Sequence, residues 1–196
     1  MPNLRASLLL VDDQALTRTC LSELLAKHGY GVRSAPDGFS ALAEIREDIP
    51  DLVLSDLNMP GMFGFELLSV VRRRFPSIRV IAMSGAFSGA DVPVGVAADA
   101  FYEKGTHPGP LLRIVEDLTH SRKSPVIHRP RSLAPIWIPI NGHAPAGEPF
   151  VIVTCTECLR TFPKILGGPP GAIHHTDCIY RHFPIQYAIV HSAVAA

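Results

Sequence analysis

The chain has 196 residues, 47% of them apolar, enough for one ordinary domain with a packed core and something smaller beside it. Its formal charge is zero, so no whole-chain field draws it to nucleic acid or membrane, but residues 1–120 carry 11 Lys and Arg against 15 Asp and Glu, while residues 121–196 carry 7 against 3. No apolar run approaches the roughly 20 residues of a membrane helix, acids directly after residues 8–11 argue against a signal peptide, and four cysteines without framework spacing fit a reducing compartment, so a cytoplasmic location is expected.

Up to residue 120, short apolar runs alternate with longer amphipathic ones, the pattern of a parallel sheet covered by helices on both faces. Strands are expected at 7–11, 31–35, 51–55, 78–82 and 99–102. Helices are expected at 15–28, 38–47, 64–74 and 108–119. The first carries Leu16, Cys20, Leu21, Leu24 and Leu25 at helical spacing and stops at Gly29, so Cys20 is expected to face the core. A further helix at 86–97 should be short or distorted, because it contains Gly89, Pro93 and Gly95. Prolines at 125, 130, 135, 139, 145 and 149 then read as an extended linker over 121–149, in which the apolar "LAPIWIPI" could dock on a surface. A small module at 150–196 opens on the strand-like "FVIVTC", with a helix expected around 176–190. No internal repeat is visible.

The fold expected for residues 1–120 is therefore α/β: a doubly wound, five-stranded parallel sheet. In such sheets functional groups gather beyond the carboxyl ends of the strands, where the strand order reverses. The first strand ends at Asp12 and Asp13, the third at Asp56, the fourth at Ser84, and Lys104 follows the fifth. Taken singly, an Asp at a strand end is a turn or helix cap, Ser84 another cap and Lys104 a solvated charge. Together they put three carboxylates on one rim, and a hard divalent cation such as Mg²⁺ relieves their repulsion by taking oxygen ligands directly.

The segments "LLLVDDQ", "LVLSDLNMPGMFGFELL", "VIAMSGA" and "AFYEKG" resemble, in order and surroundings, the receiver domain of two-component response regulators. The resemblance implies a flavodoxin-like sheet and that Asp56 is the phosphoacceptor, taking a phosphoryl group from a sensor histidine kinase or phosphotransfer protein. It implies that Asp12 and Asp13 hold Mg²⁺ with Asp56 and the backbone carbonyl of Asn58, and that Ser84 and Lys104 contact the phosphoryl oxygens. Ser84 reaches that group by moving inward, which leaves room for Phe101 to rotate in and repack a surface that meets a protein partner. Three positions depart from the family pattern: Gly105 stands where a proline commonly follows the lysine, Phe63 where an Asp is frequent, and the segment around Pro93 is compressed.

The C-terminal stretch holds Cys155 and Cys158 as a CxxC, and, after sixteen intervening residues, His175 with Cys178 as a second pair. Two such pairs can close a tetrahedron around structural Zn²⁺, with His174 or His182 as substitutes for His175. "CTECLRTF" is similar to the first knuckle of zinc ribbons and fingers. A redox CxxC or plain buried cysteines are the competing readings. No dense Lys/Arg stripe and no helix-turn-helix pattern is present, so a protein partner is favoured over DNA. The expectation is a response regulator that is not an enzyme in the usual sense, its substrate being its own side chain. A DNA-binding regulator acting through the zinc module and a phosphorylation-independent pseudo-receiver scaffold are the alternatives.

Overall fold

The computed structural model describes residues 5–86, 98–120, 135–168 and 172–189. The chain divides into two compact units, Met1–Arg129 and Pro130–Ala196.

In the first unit β1 (Ser7–Val11), β2 (Gly31–Ala35), β3 (Leu52–Asp56), β4 (Arg79–Ser84) and β5 (Ala100–Glu103) form one parallel sheet in the order β2-β1-β3-β4-β5. The connecting helices are α1 (Ala15–Lys27), α2 (Gly38–Glu47) and α3 (Gly64–Arg74), and α4 (Gly109–His120) follows β5. Every strand and helix described here falls within two residues of its sequence expectation. The helix expected at 86–97 lies, from residue 87 on, outside the described residues.

Continuous apolar runs make the central strands. Leu8, Leu9, Leu10 and Val11 of β1 and Leu52, Val53 and Leu54 of β3 are fully buried, as strands covered by helices on both faces must be. Each such side chain contributes about 1.5–3 kcal/mol of burial. Asp37 caps α2 by accepting the Ser40 N–H at 2.8 Å. At the end of α1, Gly29 adopts φ +87° and donates to the Ala26 carbonyl at 2.9 Å, the left-handed stop anticipated from its position.

One packing expectation is overturned: Cys20 is exposed, as is Leu16. The helix buries Leu25 and half-buries Leu21, and at 100° per residue Leu16 and Cys20 fall about 180° and 140° round from Leu25. The five residues do not share one face, and the face with more leucine atoms toward the sheet wins.

The second unit consists of two three-stranded sheets. β7 (Gly142–His143), β8 (Pro149–Thr154) and β9 (Thr161–Ile165) form an antiparallel set in that order. β10 (Ile173–Asp177) pairs antiparallel with β11 (Pro184–Ile189), and β6 (Ile136–Ile138) adds parallel to β11. Two expectations change here. Residues 136–143, read as linker, supply two strands, because Ile136 and Ile138 bury completely within this unit. The helix expected around 176–190 is instead β10, a turn and β11: Ile185, Tyr187 and Ile189 alternate with period two and are all buried.

Candidate functional site

The order β2-β1-β3 places the reversal of strand order between β1 and β3, and both strands end there on acid. Asp12 follows β1 and hangs on the sheet by donating its N–H to the Ala35 carbonyl at 3.2 Å. Asp56 is the last residue of β3, and the following N–H, of Leu57, donates to the Met83 carbonyl at 2.9 Å. Lys104 follows β5, its N–H donating to the Ser84 carbonyl at 2.8 Å, so the β4–β5 ladder sets its height on the rim.

These anchors bring the predicted residues together. Lys104 Nζ lies 2.7 Å from Asp12 Oδ2 and 2.8 Å from Asp56 Oδ2. Asp12, Asp13 and Asp56 each offer a carboxylate oxygen within 4.8 Å of the others. Asp12 and Asp56 are buried and Asp13 is exposed, so the cluster opens to solvent on one side. Burial, the largest influence, pushes the Asp56 carboxyl above the ordinary carboxylate range against the pull of Lys104, and the Asp12 charge adds to the rise. For Lys104 burial acts downward, but the hydrogen bonds and charges of Asp12 and Asp56 outweigh it and hold the ammonium above its usual value.

The donor set fits a hard divalent cation. All three side chains give oxygen. Asp12 Oδ2, sealed from solvent, faces the Lys104 ammonium at 2.7 Å, and a carboxylate oxygen with that single partner keeps a lone pair for a further cation. Asn58 is exposed beside the cluster, and its N–H donates to the Asp56 carboxylate.

Ser84 is 1% exposed, and its Oγ accepts the Ala86 N–H at 3.0 Å. Phe101 is half-buried opposite Ala82, while its neighbour Tyr102 points the other way into the core with Leu111 and Val115. Gly105 has φ +82°, a conformation open to glycine and closed to proline, and no cis peptide occurs among the described residues. Phe63 begins α3 without a side-chain cap. Sequence reading missed Gly64: a Cβ there would stand 1.9 Å from the Asp56 carbonyl oxygen and 2.7 Å from Leu57 Cα, so only glycine lets α3 start against the backbone of Asp56. The glycine directly before the "FELL" run was the available signal.

In the second unit Cys155, Cys158 and Cys178 converge, each sulfur within 4.8 Å of the others. His175 does not join them. It stands on β10 three residues before Cys178, and in a strand an odd offset turns the side chain to the other face, where His175 is exposed. His174 is buried elsewhere, its ring stacked on Tyr187 at 5.2 Å with Nε2 lacking a hydrogen-bond partner. His182 is exposed, four residues after Cys178, and its ring also lies outside the cluster of the three sulfurs.

Residues 8–115 match the family model described as the response regulator receiver domain. Over 134 residues the chain is 31% identical to the phosphoglycerate transport system transcriptional regulatory protein PgtA of Salmonella typhimurium, covering 66% of this chain and 32% of that protein. Over 77 residues it is 42% identical to sporulation initiation phosphotransferase F of Bacillus subtilis, covering 39% of this chain and 62% of the relative. The response regulator TrrA of Thermotoga maritima, solved in complex with Mg²⁺-BeF, superposes with a TM-score of 0.54 at 29% identity, over 57% of this chain and 97% of that one. Vibrio cholerae chemotaxis protein CheY4 gives a TM-score of 0.54 at 32% identity, over 58% and 98%. The matched part spans only about a third of PgtA. Among the described residues no helix is long and apolar enough to cross a membrane. With a five-stranded parallel sheet in the order 2-1-3-4-5, an acid rim at its switch point and a family match over more than half its length, the chain belongs to the response regulator receiver family of two-component systems.

Proposed function

We propose that this protein is a cytoplasmic phosphorelay receiver that takes a phosphoryl group on Asp56 from a histidine kinase or phosphotransfer protein and passes the change to a protein partner. The observation that carries this reading is the Lys104 ammonium held between Asp12 and Asp56, at 2.7 and 2.8 Å, with Asp13 on the open side of the same carboxylate cluster.

Asp12, Asp13 and Asp56, with the backbone carbonyl of Asn58, would hold Mg²⁺. That ion supplies compensation for the charge spread over the equatorial oxygens during phosphoryl transfer. An Asp56 carboxylate oxygen attacks phosphorus in line; the oxygen–phosphorus bond forms as the nitrogen–phosphorus bond to the donor histidine breaks. Lys104 already faces Asp56 and needs only a small shift to pair with a phosphoryl oxygen. Ser84 gives up the Ala86 N–H and donates its hydroxyl to the same group, and Phe101 turns into the space vacated. Leu16, 75% exposed in the first turn of α1, offers an apolar anchor for the donor near the acid rim.

Because the substrate is its own side chain and the acyl phosphate is slowly hydrolysed, the protein is not an enzyme in the ordinary sense. The relatives that are transcriptional regulators make a DNA-directed output the second reading. Incubation with Mg²⁺ and acetyl phosphate tests the proposal. A mass gain of one phosphoryl group, absent in Asp56→Asn and absent with EDTA, is expected; no gain, or a gain indifferent to Asp56→Asn, removes the phosphorelay reading.

A further inference from the structure

The two hairpins of the second unit turn in the same way. After β8, Cys155 donates its N–H to the Arg160 carbonyl at 2.9 Å and accepts from the Leu159 N–H at 2.8 Å. After β10, Cys178 donates to the Phe183 carbonyl at 2.8 Å and accepts from the His182 N–H at 2.8 Å. In both loops the fifth residue is left-handed, Leu159 at φ +56° and His182 at φ +49°, although neither is glycine. Both loops also aim two backbone N–H groups at the first sulfur: those of Glu157 and Cys158 at Cys155, those of Tyr180 and Arg181 at Cys178. The repeat is absent from the sequence because only the leading cysteine is shared.

Amides aimed at a sulfur suit a thiolate, although burial pushes the free Cys155 thiol up to about 11. The spacing says what shares that charge. Cys158 Sγ and Cys178 Sγ are 3.8 Å apart, far beyond the ~2.05 Å of a disulfide. With zinc–sulfur bonds of ~2.3 Å, the edge of a regular tetrahedron of sulfurs is about 3.8 Å. The cage is stiffened from outside: the Arg160 guanidinium lies 5.2 Å over the Tyr180 ring, Tyr180 packs edge-on against Phe162 at 6.4 Å, and its hydroxyl donates to the Thr161 carbonyl at 3.3 Å. These contacts join the first loop and its strand to the second loop, so the three sulfurs meet on a preset frame.

We propose that Cys155, Cys158, Cys178 and His182 bind one structural Zn²⁺ that pins the β8–β9 hairpin to the β10–β11 hairpin. The second loop has Arg181 at the place where the first has Cys158, and His182, the next residue, is the ligand type nearest to Cys178 along that loop. Its backbone is held by the bond to the Cys178 carbonyl; its exposed imidazole stands outside the 4.8 Å cluster of the three sulfurs and completes the site by rotating toward them. Three thiolates and Zn²⁺ carry a net negative charge, which Arg160 and Arg181 offset from the two loops. The thiols release their protons to solvent as the metal binds. This inference is independent of phosphoryl chemistry at Asp56.

The test is titration of the reduced full-length chain with Co²⁺. One equivalent should give a thiolate-to-cobalt charge-transfer band and the intense visible bands of a tetrahedral site, both erased by one equivalent of Zn²⁺. The acid rim cannot imitate this, because carboxylates give no thiolate band. His182→Ala should weaken the site by about tenfold or more and change the visible envelope, while His175→Ala and Asp56→Asn bind as the parent does. X-ray absorption of the zinc-loaded parent, which needs no variant to fold, should show three sulfurs near ~2.3 Å and one nitrogen near ~2.0 Å. A chain that develops no thiolate band, a His182→Ala variant with undiminished affinity, or a shell other than three sulfurs and one nitrogen overturns the assignment.

Discussion

Lys104 Nζ lies 2.8 Å from Asp56 Oδ2, and the same nitrogen is 2.7 Å from Asp12 Oδ2, so one ammonium serves two buried carboxylates that come from neighbouring strands. Neither acid has another cation among the ion pairs of the described residues. Removing the lysine leaves two buried carboxylates without a cation, held among these residues only by the Gln14 N–H on Asp12 and the Asn58 N–H on Asp56.

Lys104→Ala should therefore lower the stability of the receiver unit by about 1–3 kcal/mol, the cost of stranding a buried acceptor. Mg²⁺ replaces the missing charge, so millimolar Mg²⁺ should raise the melting temperature of this variant more than that of the parent. Thermal melts with Mg²⁺ and with EDTA check it; equal shifts in the two proteins would contradict the shared-cation account.

The raised Asp56 carboxyl makes a pH prediction whose sign is opposite to the usual acid case. Between the ordinary value of 3.8 and the higher folded value, the folded chain holds a proton that the unfolded chain has lost. Stability from this group therefore falls as pH rises through that window. Asp56→Asn, neutral at every pH, should remove this slope and be more stable than the parent at pH 7 without Mg²⁺, as denaturant titrations across pH 4–8 would reveal. Lys104 works at the other end: its contribution is complete below the ordinary 10.5 and disappears as pH climbs through the raised folded value.

Gly64→Ala should cost about 1–3 kcal/mol and slow acetyl phosphate labelling, because the added carbon forces α3 away from Asp56. Gly105→Ala is the control. Nothing lies within 4 Å of its would-be Cβ, so only its left-handed backbone resists, at roughly 1 kcal/mol, and labelling should persist.

His174→Phe should leave the second unit intact or stabilise it by ~1 kcal/mol. The replacement keeps the stack on Tyr187 and deletes a buried nitrogen that has no hydrogen-bond partner. A loss of stability would show that Nε2 is satisfied by something the ring stack does not explain.

Ile138→Ala, in a stretch whose prolines suggest a linker, should destabilise the second unit by about 2–4 kcal/mol because the side chain is fully buried in β6. Chemical denaturation followed by Trp137 fluorescence, adjacent to the change, reads this directly.

What the sequence made legible follows from how locally each feature is encoded. The acid rim was readable because an all-parallel sheet leaves every strand's carboxyl end on the same edge, so Asp12, Asp56, Ser84 and Lys104 could be assembled by topology alone. The face of α1 was misjudged because leucines cover more than one side of that helix, and only the packed sheet chooses Leu25 over Leu16. Gly64 was passed over since the close approach of α3 to Asp56 is a tertiary fact. In the second unit, proline content concealed β6, whose pairing partner β11 lies far along the chain, and the odd offset between His175 and Cys178 mattered only once β10 was known to be a strand. The paired loops were invisible because backbone hydrogen bonds, rather than shared residues, make them alike.

The parallel pairing of β6 with β11 fixes an order of events during synthesis. Ile136 lies opposite Tyr187, so a strand made early must wait through about fifty residues, the whole β8–β9 hairpin among them, before its neighbour exists. The receiver, whose helices and strands pair close in sequence, can already be formed while β6 still offers bare backbone to solvent. Until β11 leaves the ribosome, that bare edge is open to mispairing with another copy.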